Sequence, residues 1–200
     1  MTNVARRGTM FITGDAAADD LLNTDPLAAL IGMLLDQQVA MEWAFRGPAT
    51  LRERLGGLNA KKIAAMDQDE FVAVCCTKPA IHRFPAAMGR RVHEMCSFLS
   101  ERYNGKAEKV WTGVESGREL SARLRELPGF GEEKAQIFLA VLAKRFGVAP
   151  AGWEKAAGKF GEATPRSVAD IDSPEALARV REWKKAAKAA RRDKQDRPLP

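Results

Sequence analysis

Between Gly117 and Phe146 two helical patterns are separated only by Pro128-Gly129-Phe130-Gly131, and this punctuation constrains the chain more than any other feature. Leu120, Leu124 and Leu127 recur at helical spacing before it, and Ala135, Phe138, Leu139, Leu142 and Phe146 after it. Pro128 cannot continue the hydrogen-bond ladder of the first helix. Two glycines around one apolar residue admit positive φ and remove the side chains that block close approach. The spacing therefore predicts a helix, a tight hairpin and a helix over 117–146, with Phe130 plugging the turn into the core. The N–H groups of Gly129, Gly131 and the second helix's first turn then face outward together, which suits a phosphate oxygen. Lys134 either supports such a contact or faces solvent. Glu132 and Glu133 suit a helix N-terminus but repel a phosphate.

The rest of the chain repeats apolar residues at spacings of three and four, and alternation of β-branched residues is nearly absent. An all-α fold of about eight short helices in two lobes is expected. Asp25-Pro26 starts one helix, as cap and first-turn proline, with Leu27, Leu30, Ile31, Leu34 and Leu35 on one face. Continued to Gln38, that helix sets Gln38 about 20° from Leu27 and Asp36 about 180° from it. A glutamine ending an apolar stripe suits either capping a neighbouring backbone group or filling an opened base stack. Further helices are expected over 44–55, 67–76, 88–103 and 174–192, with Gly, Pro or Asn as punctuation at their stops.

Composition narrows the setting. At 200 residues, 46% hydrophobic and 29% charged, the chain can bury a sizeable core. No apolar run approaches 18 residues, and MTNVARRGTM lacks the apolar stretch of a secretory signal, so a cytoplasmic protein without membrane contact is expected. Cys75, Cys76 and Cys96 are odd in number and two are adjacent; they read as small core residues, neither a disulfide framework nor a metal centre completed by His82 and His93. The net charge of +6 is mostly local: from Lys184 to Pro200 there are seven basic and two acidic residues. The chain thus reads as a body over 1–183 and a basic tail over 184–200, a solvated helix end or disordered extension able to add sequence-independent attraction to phosphate.

Three segments in order, LIGMLLDQQVA, HRFPAAMGRRVHEMCSFLSERYNG and ELPGFGEEKA, carry a resemblance. Over roughly Asp25 to Gly161 the chain resembles the helix-hairpin-helix-GPD superfamily of DNA glycosylases, in the short branch without an iron–sulfur cluster. The resemblance implies a monomer that flips a damaged or mispaired base out of double-stranded DNA and hydrolyses its N-glycosidic bond. It implies that Gly129 and Gly131 grip the backbone and that Gln37 or Gln38 fills the vacated space. It also implies that carbonyls of Arg125, Leu127 and Phe130 can hold a monovalent cation, with no other cofactor.

The chain departs from the family pattern in two places, one a single residue and one a three-residue stretch. Glu133 stands where lyase members carry a lysine, so Schiff-base strand cleavage is not expected. Pro150, Ala151 and Gly152 stand where the family places its catalytic aspartate. Asp36 and Glu154 are the candidate replacements, and Trp43, Trp111, Trp153, His82 and Arg83 the candidate pocket or stacking residues. The expected function is a monofunctional glycosylase. The alternatives are a catalytically silent DNA-binding or damage-sensing module and a protein-interaction domain on the same scaffold.

Overall fold

Asp25 does what its position suggests: its carboxylate accepts from Leu27 N (2.8 Å) and Ala28 N (3.2 Å) and starts the central helix of the molecule. The structure, a computed structural model, describes residues 8–198. Among them are ten α-helices: α1 (Ala16–Thr24), α2 (Pro26–Leu35), α3 (Met41–Leu55), α4 (Ala60–Ala65), α5 (Gln68–Cys76), α6 (Pro85–Tyr103), α7 (Gly117–Arg125), α8 (Glu132–Phe146), α9 (Trp153–Ala157) and α10 (Pro174–Ala189). The fold is all-α; β-pairing among the described residues amounts to two isolated bridges, Ser116 with Ala151 and Arg192 with Pro198. No helix among them is long and apolar enough to cross a membrane.

Every residue of α2 after Pro26 is buried, and the helix packs against α1, α3, α6 and α8. Burying each of its leucines contributes about 1.5–3 kcal/mol. Gly32 is needed there because a Cβ would lie 2.6 Å from the Phe45 ring of α3. The segment before α1 is neither helix nor strand, so side chains satisfy its backbone: Asn23 both accepts from Met10 N (2.7 Å) and donates to Met10 O (2.9 Å), and Asp19 accepts from Ile12 N and Thr13 N.

Several sequence expectations need correcting. The helix expected to reach Gln38 stops at Leu35, Asp36 is its C-cap, and Gln38 has φ 56°, so the wheel positions of Asp36 and Gln38 do not apply. α3 begins at Met41 and α6 at Pro85, each three residues early, while α7 ends at Arg125 and α10 at Ala189, before the expected stops. α1 and α4 were not expected. Of the cysteines, Cys75 and Cys96 are core residues, with burial pushing both thiols up to about 12, but Cys76 is exposed. Helix α10 runs unbroken through Lys184, and the residues after it form a turn in which Asp193 Oδ1 accepts from Gln195 N (2.8 Å) and Arg197 N (2.9 Å).

Candidate functional site

Why α2 ends at Leu35 is the question from which the site grows, since neither glycine nor proline stops it. Its last carbonyls are taken from outside. Lys134, on the first turn of α8, donates Nζ to Met33 O (3.0 Å) and to Leu34 O, and the Gln37 side chain donates to Leu34 O (2.9 Å). The Gln37 carbonyl faces His82 Nε2 at 3.0 Å. A cation and the Gln37 amide thus cap the negative end of α2, and His82 holds the loop just beyond it. The Lys134 ammonium is directed into this cap, so its role is internal. Burial lowers it to about 8, opposed by the nearby Asp36 carboxylate.

The turn before α8 closes on the same place. Gly129 has φ 82°, and a Cβ on it would strike Leu34 Cδ1, so both conformation and space require glycine. Phe130 is buried edge-on against Phe138 (ring centroids 5.9 Å apart), and its N–H donates to Leu127 O (3.0 Å). Phe130 is thus a plug; its amide is spent within the turn. Gly131 is exposed with open space around its Cα. The amides of Gly129, Gly131, Glu132 and Glu133 find no acceptor among the described residues, and α8 has no side-chain N-cap. The turn therefore presents clustered donors next to the Asp36–Gln38 loop. Glu133 is answered by Lys194 at 3.7 Å.

Aromatic residues extend this surface on one side. Trp43 and Phe84, 43% and 45% exposed, are the large apolar side chains most open to solvent among the described residues. Between them lies His82, 1% exposed, with ring centroids 6.4 Å from Trp43 and 6.1 Å from Phe84. Trp43 Nε1 donates to Ala80 O (3.2 Å), and Arg83 lies over the Phe84 ring at 5.2 Å. Arg91, which the sequence reading missed, donates to Gln37 Oε1 (2.9 Å). Gln37 is thereby held through both ends of its amide, whereas Gln38 is exposed.

The His82 tautomer follows from its partners. Phe84 N–H donates to Nδ1 (3.0 Å), so Nδ1 carries no proton and Nε2–H donates to Gln37 O. Burial holds the imidazole below its ordinary 6.5, reinforced by Lys134 and opposed by the Gln37 and Leu35 carbonyls. The unfolded chain takes up this proton near 6.5 and the folded chain only at lower pH, so stability is lost as pH falls from 6.5 toward the folded value. Denaturant unfolding at pH 7.5 and 5.5 is expected to show a loss at the lower pH that is smaller in His82→Gln; an equal loss in both would contradict this tautomer.

Asp36 is half-buried at this same end and lies in the fields of Lys134 and Lys184, the second lysine reaching from α10, where its Nζ is 3.5 Å from Met41 Sδ. Glu154 is not brought here. It is exposed on α9, which packs on α7 and α8. The Trp153 backbone lies against Gly117 at the start of α7 and its side chain packs half-buried on the core, while Trp111 is buried 5.9 Å from Phe138, so both tryptophans are packing residues. Ala151 O accepts from Gly117 N (2.8 Å), tying the Pro150–Gly152 stretch to α7. The structure thus joins Asp36, Gln37, Gln38, Trp43, His82, Arg83, Gly129, Gly131 and Lys134 at one end and leaves Glu154 and Trp153 apart. Set beside known proteins, the chain matches no protein-family model, and no curated protein is significantly similar to it.

Proposed function

We propose that the chain is a monofunctional DNA glycosylase of base-excision repair, with α7, the 126–131 turn and α8 as a helix-hairpin-helix element. The observation that carries this reading is the seating of Gly129 against Leu34 beside the Lys134 cap, which puts the donor cluster and the Asp36–Gln38 loop side by side. In this reading the free amides of Gly129, Gly131, Glu132 and Glu133 take backbone phosphate oxygens. Gln38, whose side chain makes no hydrogen bond among the described residues, enters the space left by a flipped base, while Gln37 stays as part of the α2 cap. Trp43 and Phe84 offer ring faces on which exposed bases stack.

The helices group, in this reading, into a lobe of α3–α6 and a lobe of α7–α10 joined along α2. The carbonyls of Arg125 and Phe130 accept no backbone hydrogen bond among the described residues and that of Leu127 accepts one, so their lone pairs fit a monovalent cation. Such an ion would add positive charge at the turn. Glu133 offers no amine for a Schiff base, so water is the nucleophile. Asp36 supplies the negative charge that opposes the cationic character developing on the sugar.

The test is incubation with duplexes carrying uracil, hypoxanthine, mismatched adenine or alkylpurines, followed by hot alkali. Strand breaks that appear only after alkali, for at least one lesion, are expected. No release from any lesion would overturn the enzymatic reading. Gly131→Glu, which adds an anion at an open position, is expected to weaken duplex binding at least about tenfold by costing one or more charge-assisted hydrogen bonds; unchanged affinity would remove the turn from the interface.

A second reading is a catalytically silent damage sensor. Two observations favour it: the ammonium groups of Lys134 and Lys184 both lie near Asp36, and Pro150, Ala151 and Gly152 carry no carboxylate. It predicts lesion-selective binding without base release.

A further inference from the structure

Beyond α10 the chain turns back, and one buried arginine holds it. The Arg166 side chain is 3% exposed; it donates to Asp196 Oδ2 (2.8 Å), Lys194 O (3.3 Å) and Glu162 Oε2 (3.1 Å), and lies 5.0 Å from the centre of the Trp183 ring. A guanidinium so far from water requires all of these partners, because an unpaired buried charge is costly. Arg192 N donates to Ala187 O (2.8 Å), and Arg192 pairs with Pro198 across the turn. The segment is therefore fixed at both its start and its end.

What the turn fixes is a row of cations. Lys184 and Lys188 stand four residues apart on one face of α10, Arg192 follows in the turn beyond its end, and all three line a cleft of about 280 Å³ with Trp183, Lys194 and Glu133. The acids at this cleft are already answered: Glu133 by Lys194, and Asp193 by Arg197 at 2.6 Å. Lys188 and Arg192 have no ion-pair partner among the described residues. Glu133 belongs to the first turn of α8, so the row begins where the free amides of the 129–133 segment end.

We infer that the latched 190–198 turn makes Lys188 and Arg192, beside Lys184, a second phosphate-binding stripe, continuing along the same duplex from the Gly129–Gly131 turn. The inference rests on the DNA reading above. Its occupant is a run of backbone phosphates, contacted without regard to sequence, because the stripe presents cations and no planar set of donors and acceptors able to read a base edge.

The test is the salt dependence of binding to a short undamaged labelled duplex by anisotropy. Lys188→Gln with Arg192→Gln removes two phosphate contacts and is expected to reduce the slope of log K against log[NaCl] by about 2. Lys61→Gln with Lys62→Gln removes the same charge from α4 and is expected to leave the slope unchanged. Asp196→Ala separates the latch from simple charge: deleting an acid should tighten phosphate binding, yet loss of the Arg166 contact is expected to weaken binding and lower the slope, with α-helical circular dichroism retained. A wild-type chain that binds the duplex while the 188/192 variant keeps its slope overturns the stripe and leaves the DNA reading standing. Tighter or unchanged binding by Asp196→Ala overturns the latch. A wild-type chain that binds no duplex overturns both readings.

Discussion

Asp36→Asn is expected to lower base release by about 10²–10³-fold, the scale on which a single well-placed electrostatic group acts at a transition state. The same change is expected to leave duplex affinity equal or somewhat higher, because it deletes an anion from the field of Lys134 and Lys184. That pairing of outcomes separates a chemical role from damage to the fold, which would lower both. Glu154→Gln, an equivalent change on the exposed face of α9, is expected to alter neither quantity more than about twofold, as surface substitutions away from a site do. Release unaffected by Asp36→Asn, or abolished by Glu154→Gln, would move the chemistry away from the α2 end. Single-turnover kinetics on the preferred lesion, with affinity measured separately, make the distinction.

Gly129→Ala is expected to destabilise the protein by about 3 kcal/mol. About 1–2 kcal/mol comes from forcing an L-residue into the left-handed region, and about 1–3 from driving a methyl group into Leu34. Leu34→Ala alone should cost about 2–5 kcal/mol by leaving a cavity in the core. In the double variant the truncated side chain makes room for the new methyl, so the combined loss should fall short of the sum by about 1–2 kcal/mol. Gly131→Ala, two residues on, is expected to cost about 1 kcal/mol or less, since φ is −74° and nothing surrounds it. Urea unfolding of the four variants reads this directly. Additive losses would mean that the turn does not rest on α2.

The parts of this site written in local sequence were legible. Phe130 plugs the turn, Gly147 ends α8 at φ 70° and Asp25 starts α2, each through chemistry confined to a few neighbouring residues. The end of α2 was not legible. Nothing in Leu35-Asp36-Gln37-Gln38-Val39 breaks a helix; the break comes from Lys134, about a hundred positions away, and from His82 taking the Gln37 carbonyl. Helix-wheel geometry therefore misplaced Asp36 and Gln38, although the residues themselves lie at the site.

Other misses have similar causes. α4 is six residues long, too short to display a helical period, and α1 is carried by an Asp15 cap on an alanine-rich start that lacks a clear stripe. Arg91 sits on the exposed face of α6 and looks like any solvated arginine until Gln37 is brought against it. The fixed turn after α10 depends on Arg166, whose burial no local pattern signals. Tryptophans divided by neighbours, not by spacing: Trp43 stays open beside His82, while Trp111 is buried against α8 and Trp153 is half-buried against the core.

The central claim is that the hairpin turn and the loop at the end of α2 face one nucleic-acid strand together. Titrating the ¹⁵N-labelled protein with a short lesion-bearing duplex, and following backbone amide signals, tests it most directly. The amides of Gly129, Gly131 and Glu132 and those of Gln37 and Gln38 are expected to shift in parallel, saturating at the same duplex concentration. Shifts confined to one of the two groups, or absent from both while the duplex binds elsewhere, would contradict it.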